Sequence, residues 1–92
     1  MTKKEFKEIQ DYLQNLDFSC TYRLTWTTIW TLFLNDGNAD IEVLNPDTHI
    51  GASSNEKPIT LDIYTNKSKM NSLITEVGFD TLEELKAYLE DE

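Results

Sequence analysis

Among the side chains able to do covalent or acid–base chemistry, this sequence offers one cysteine, Cys20, one histidine, His49, and seventeen carboxylates. A nucleophilic pair needs a thiol or hydroxyl activated by a neighbouring base. Cys20 alternates with polar neighbours in FSCTYRLTW and is expected to be a small buried hydrophobe rather than a reactive thiol. His49 stands in a polar stretch with no spaced Cys, His or carboxylate cluster around it, so a surface-loop residue is the expectation. The only glycines are Gly37, Gly51 and Gly78, which leaves no Gly-rich phosphate loop. No acidic run has calcium-loop spacing. With so many carboxylates, chance pairs carry little information. The pattern therefore argues against an enzyme and implies no catalytic residue, no metal ligand set and no cofactor.

What remains is charge. The chain of 92 residues has 17 acidic and 8 basic side chains, a net charge of −9. Residues 1–46 contribute seven acids and four bases, net −3; residues 47–92 contribute ten and four, net −6. Such a chain is repelled by nucleic-acid phosphates and by anionic membranes. The expected partner is a protein, one with a basic nucleic-acid-binding groove. Met1-Thr-Lys-Lys-Glu is followed by no apolar run, so no signal peptide is read, and the apolar stretch around Ile29 to Leu34 is too short to span a bilayer. The single cysteine allows no internal disulfide. A cytoplasmic location follows as an expectation.

The elements that must position these charges are read from periodicity. Residues 1–92 are expected to form a single domain organised around a three-strand meander from Phe18 to Leu44. Phe18, Cys20, Tyr22, Leu24 and Trp26 alternate with polar residues; Trp30, Leu32 and Leu34 follow, then Ile41 and Val43. A three-residue loop, Thr27 to Ile29, would pair Trp26 with Trp30 and Leu24 with Leu32. An Asp36-Gly37 type I′ turn would pair Leu32 with Ile41 and Trp30 with Val43. Both registers put the apolar residues on one face.

Around this meander, Thr2 and Glu5 form a capping box for a first helix with Phe6, Ile9, Leu13 and Leu16 on its inner face. Asn45-Pro46-Asp47 ends the third strand, and a polar loop runs on to Pro58. Ile59, Leu61 and Ile63 alternate as a fourth strand. Met70, Leu73, Ile74 and Val77 fit the i, i+3, i+4, i+7 spacing of a helix closed by Gly78. Asp80 or Thr81 caps a last helix carrying Leu82, Leu85 and Leu89 inward. The expected fold is α+β, in the order α-β-β-β-β-α-α: a four-stranded antiparallel sheet with one N-terminal and two C-terminal helices on one face.

Two surfaces could then bind a partner. One is acidic: Asp36 at the tight turn, Asp40 and Glu42 on the next strand, and Asp80, Glu83 and Glu84 on the last helix. A rigid array of carboxylates would attract a groove built for phosphates. The other is the uncovered sheet face with Arg23, Phe33 and Tyr64, which would serve an interaction, immunity or regulatory domain, as monomer or dimer, without mimicry of nucleic acid.

The run of a short N-terminal helix, a hairpin and Asn35-Asp36-Gly37-Asn38 leading into a third strand resembles the small acidic phage anti-CRISPR proteins that inhibit Cas9. The resemblance covers about half of the chain. It implies a stoichiometric inhibitor acting in a bacterial host cytoplasm. There Asn35, Asp36, Gly37 and Asn38 would help occupy the site that reads the DNA motif beside the target. The chain departs from that pattern in Ala39, where an acid is expected, in its fourth strand and in its acidic last helix.

Overall fold

A computed structural model describes residues 2–46, 57–66 and 72–90. Its elements run α1 (Lys3–Asn15), β1 (Ser19–Arg23), β2 (Thr27–Leu34), β3 (Gly37–Leu44), β4 (Ile59–Thr65), β5 (Ser72–Phe79) and α2 (Leu82–Glu90). The five strands form one antiparallel sheet in sequence order, β1 to β5. Both helices supply buried residues to the core on one side of it. The class is α+β as expected, but the described residues form five strands and two helices in place of four and three.

In place of the expected helix carrying Leu73, Ile74 and Val77 stands the strand β5. Met70 lies outside the described residues; Leu73, Ile74 and Val77 lie in β5, and Gly78 is a strand residue without positive φ. The spacing of these four residues fits a helix, but Thr75, Val77 and Phe79 also alternate. Ile74, Thr75 and Val77 are β-branched and favour a pleated surface. The free edge of β4 decides between the two periods, because Val77 and Phe79 can there continue the rows begun by Leu61 and Ile59.

Three rows of side chains build the core face. Thr28, Val43, Ile59 and Phe79 are opposite one another across β2 to β5; so are Trp30, Ile41, Leu61 and Val77, and Leu32, Ala39, Ile63 and Thr75. Ile9 and Leu13 of α1 and Leu82 and Leu85 of α2 cover them. Phe6 also leans on Trp30, with ring centroids 5.5 Å apart.

Both hairpin registers differ from expectation. Trp30 pairs with Ile41 and Thr28 with Val43, and the turn is Asn35-Asp36, with Gly37 opposite Leu34. The difference from the expected register is an even number of residues, so every side chain keeps its face. No residue of this turn has positive φ. Gly37 is needed for a different reason: a Cβ there would collide with the Tyr64 carbonyl oxygen of β4.

The first hairpin differs more deeply. Thr27 to Ile29 belong to β2, and the reversal occupies residues 24–26. Asn45 holds it, donating from Nδ2 to the Leu24 carbonyl (2.7 Å) and from its backbone N–H to the Trp26 carbonyl (2.8 Å). The buried Thr28 hydroxyl donates to Asn45 Oδ1 at 2.6 Å. A bulge at Thr21 then resets β1: Cys20 faces Trp30, but Tyr22 faces Ile29 and Arg23 faces Thr28. As an uncovered edge strand, β1 leaves Cys20, Tyr22 and the following Trp26 exposed, contrary to the buried positions expected for them.

Local signals read from sequence hold at the helix ends. Thr2 Oγ1 accepts the Glu5 N–H at 3.1 Å. Thr81 Oγ1 accepts the Glu84 N–H at 3.2 Å, and Glu84 Oε2 accepts the Asp80 N–H at 3.0 Å. The C-terminus of α1 closes on Asp17, whose φ of 67° is left-handed. Asp17 N–H donates to the Gln14 carbonyl and Phe18 N–H to the Leu13 carbonyl, a Schellman motif. Leu16, expected to face inward, is at this cap and exposed.

Candidate functional site

Among the described residues, no helix lies on the opposite side of β2 to β5. Cross-strand register dictates its composition. One row reads Thr31, Asp40, Asp62, Glu76; the next reads Ile29, Glu42, Thr60, Gly78; on the other flank lie Phe33, Asn38, Tyr64, Leu73. Directly opposed side chains on a sheet are about 5 Å apart at Cβ. Three carboxylates on three adjacent strands therefore stand side by side in the middle of the face, with Glu42 one step away.

Like charges placed opposite each other destabilise a sheet, and the electrostatics shows it. Asp62, flanked on both sides, has its pKa raised from 3.8 to about 6. Burial contributes most, then the charges of Glu76 and Glu42, a hydrogen bond with Glu76 and the charge of Asp40. Its Oδ1 is buried and has no hydrogen-bond partner. The Tyr64 hydroxyl is also raised above 10.0, by burial first and then by Asp62, Asp40, Glu42 and Glu76. Asp40 is anchored instead: its Oδ1 accepts from Thr31 Oγ1 at 2.9 Å and from Asn38 Nδ2 at 2.8 Å. Thr31 Oγ1 lies 2.8 Å from Thr21 Oγ1, which ties the edge strand into the same chain of bonds.

Beside the row opens a cleft of about 440 Å³, lined by Glu42, Asp62, Glu76, Thr60, the half-exposed Trp26 and Lys57, among others. Lys57 crosses above Gly78, where a Cβ would press on its stem. Its Nζ pairs with Asp80 Oδ2 at 2.8 Å, and that hydrogen bond is the main cause of its raised pKa.

The residues singled out by sequence divide among four places. Asn38, Asp40 and Glu42 lie on the open face, and Phe33 and Tyr64 share one of its rows. Asn35 and Asp36 form the turn at its end, with the Asp36 carbonyl accepting from Asn66 N–H at 2.6 Å. Asp80, Glu83 and Glu84 cluster at the start of α2, the helix that covers the core face. There Asp80 holds Lys57 and Glu84 caps the helix, while Glu83 is exposed. Arg23 does not join Phe33 and Tyr64. The bulge at Thr21 turns it to the core side, where it lines a second cleft of about 250 Å³ with Lys3 and Phe6. His49 lies outside the described residues.

Asp62 and Glu76 complete the row, and neither was singled out as a binding residue. Asp62 carried a signal, an acid in mid-strand between Leu61 and Ile63 where acids are depleted. Glu76 carried none while its segment was read as helix. Among the described residues, no three His, Cys, Asp or Glu side chains are grouped to hold a metal ion, and no helix is long and apolar enough to cross a membrane. The chain matches no protein-family model, no curated protein and no solved structure.

Proposed function

We propose that this is a non-enzymatic binding protein whose open sheet face captures a basic surface of a partner protein. In this reading it acts as a stoichiometric inhibitor by filling a groove that otherwise holds nucleic-acid phosphates. The observation that carries the reading is the Asp40–Asp62–Glu76 row. Folding gains nothing from opposing carboxylates, and a position that works against stability is a candidate for function. A sheet holds the row rigidly, so little side-chain entropy is lost when a cationic surface arrives. The net charge of −9 steers that encounter over a long range. The turn at Asn35–Asp36 closes one end of the face, and Asp80 at the start of α2 is held by Lys57 beside the cleft; both add to the steering field.

The test is capture from bacterial lysate on immobilised protein, washed at low and at high salt, with Asp62→Lys as the control surface. The expected partner binds nucleic acid, is released by salt, is not held by the variant, and loses its nucleic acid when the protein is added in stoichiometric amount. A partner that keeps its nucleic acid, or binds the variant equally, would sink the reading.

A further inference from the structure

A sheet face and a sheet edge ask different things of an occupant. On β2, β3 and β4 each strand has a neighbour on both sides, so the ladder groups are already paired. An extended segment laid across this face would bury backbone N–H and C=O groups with nothing to meet them, and each one left unmet opposes binding. A helix arrives with its backbone satisfied. Its dimensions also fit. The row from Asp40 to Glu76 crosses two inter-strand gaps, about 10 Å in all, close to the roughly 10 Å width of a helix.

Along the strands the face changes character. Two residues from the acid row, about 7 Å away, lies the row of Phe33, Asn38, Tyr64 and Leu73. One turn of helix, i to i+4, advances about 6 Å. Phe33 is 72% exposed and Leu73 49%. Leu73 reaches this row because Ile74 is an extra residue between the pairs Ile63–Thr75 and Tyr64–Leu73. Such bulges re-aim side chains, and here one extends the apolar strip to the sheet edge.

We infer that the open face docks an amphipathic basic helix of the partner protein. Its arginine or lysine lies over Asp40, Asp62 and Glu76, and an apolar side chain one turn away lies against Phe33, Tyr64 and Leu73. This rests on the acid-face reading above and names the element that the face receives. Charge complementarity chooses the sign, the apolar strip chooses amphipathicity, and the lack of backbone partners chooses a helix. A guanidinium suits the acid row best, since it pairs with carboxylates in a planar fork.

The test uses three labelled peptides at low salt and pH 7.5. The first is an eighteen-residue alanine-based helix with leucines and arginines spaced i and i+4; the second is the same peptide broken by two prolines; the third is nona-arginine. The helical peptide is expected to bind about tenfold tighter than either other and to gain helical circular dichroism on binding. Phe33→Ser and Leu73→Ser, both at exposed positions, are expected to weaken it by about threefold to tenfold, and Glu76→Gln by about tenfold. If the broken peptide or nona-arginine binds as well as the helix, the helical occupant is wrong while the acidic face stands. If none of the three binds, the acid-face reading falls and the inference with it. Concentration-dependent dimerisation abolished by Phe33→Arg would show a second copy on the face and would also overturn the inference.

Discussion

The two faces of this sheet are made by the same four strands and read in opposite directions. On one, Trp30, Ile41 and Leu61 are aligned in register and fully buried. On the other, one residue away on each strand, Thr31, Asp40 and Asp62 are aligned just as closely. The first row gains free energy by leaving water; in the second, burial and then the neighbouring carboxylates raise the pKa of the middle one. A backbone that supports both shows that the sheet draws its stability from one side and leaves the other free for composition that folding alone would not favour.

Substitutions can break that comparison, and the largest effect belongs to the core face. Trp30→Ala removes the largest fully buried side chain and the contact with Phe6. It is expected to cost about 3–5 kcal/mol in denaturant unfolding. A loss below about 1 kcal/mol would show that the helices do not seal this row. Next comes the polar exception on the same face. Thr28 is fully buried and gives its hydroxyl proton to Asn45. Asn45→Ala is expected to cost about 1–3 kcal/mol, because it leaves that hydroxyl and the Leu24 carbonyl without their side-chain partner.

On the open face the sign reverses. Asp62 has a folded pKa of about 6 against an ordinary 3.8. The folded state therefore binds this proton more tightly than the unfolded state, and the group costs stability once ionised. Acidifying from above pH 6 toward pH 4 recovers that cost. Asp62→Asn should stabilise the protein by about 1–2 kcal/mol at pH 7.5, after allowing for partial exposure. The difference from wild type should close as pH falls below 6. A destabilised variant at pH 7.5, or a gap independent of pH, would show that the row is not strained. The smallest effect is expected at Phe33: Phe33→Ser should change stability by less than about 0.5 kcal/mol, since the ring is mostly in water. A larger loss in thermal unfolding would mean that the apolar strip serves folding rather than a partner.

Much of the first helix, the meander and the last helix was legible because their signals are local. The Thr2 and Thr81 caps hold the N–H groups three residues on. In the second hairpin the two-residue period assigned faces correctly even though the partner assignments differed, because the slip was even. The period says which way a side chain points, not what stands opposite. For the same reason the bulge at Thr21 was invisible: a one-residue insertion leaves no mark on composition, yet it moves Arg23 off the open face and Tyr22 onto it.

By itself, the sequence determined the α+β class, the acidic balance, the helix caps and the side of the sheet to which Trp30, Ile41 and Leu61 turn. These depend on neighbours a few residues apart or on sums over the chain. Tertiary structure decided that residues 72–79 are a strand, because only the free edge of β4 distinguishes two periods that the segment fits equally. It also brought together Asp40, Asp62 and Glu76, which lie on three strands far apart in sequence. Their adjacency is a property of register, and register is set by pairing energies over the whole sheet rather than by any one strand.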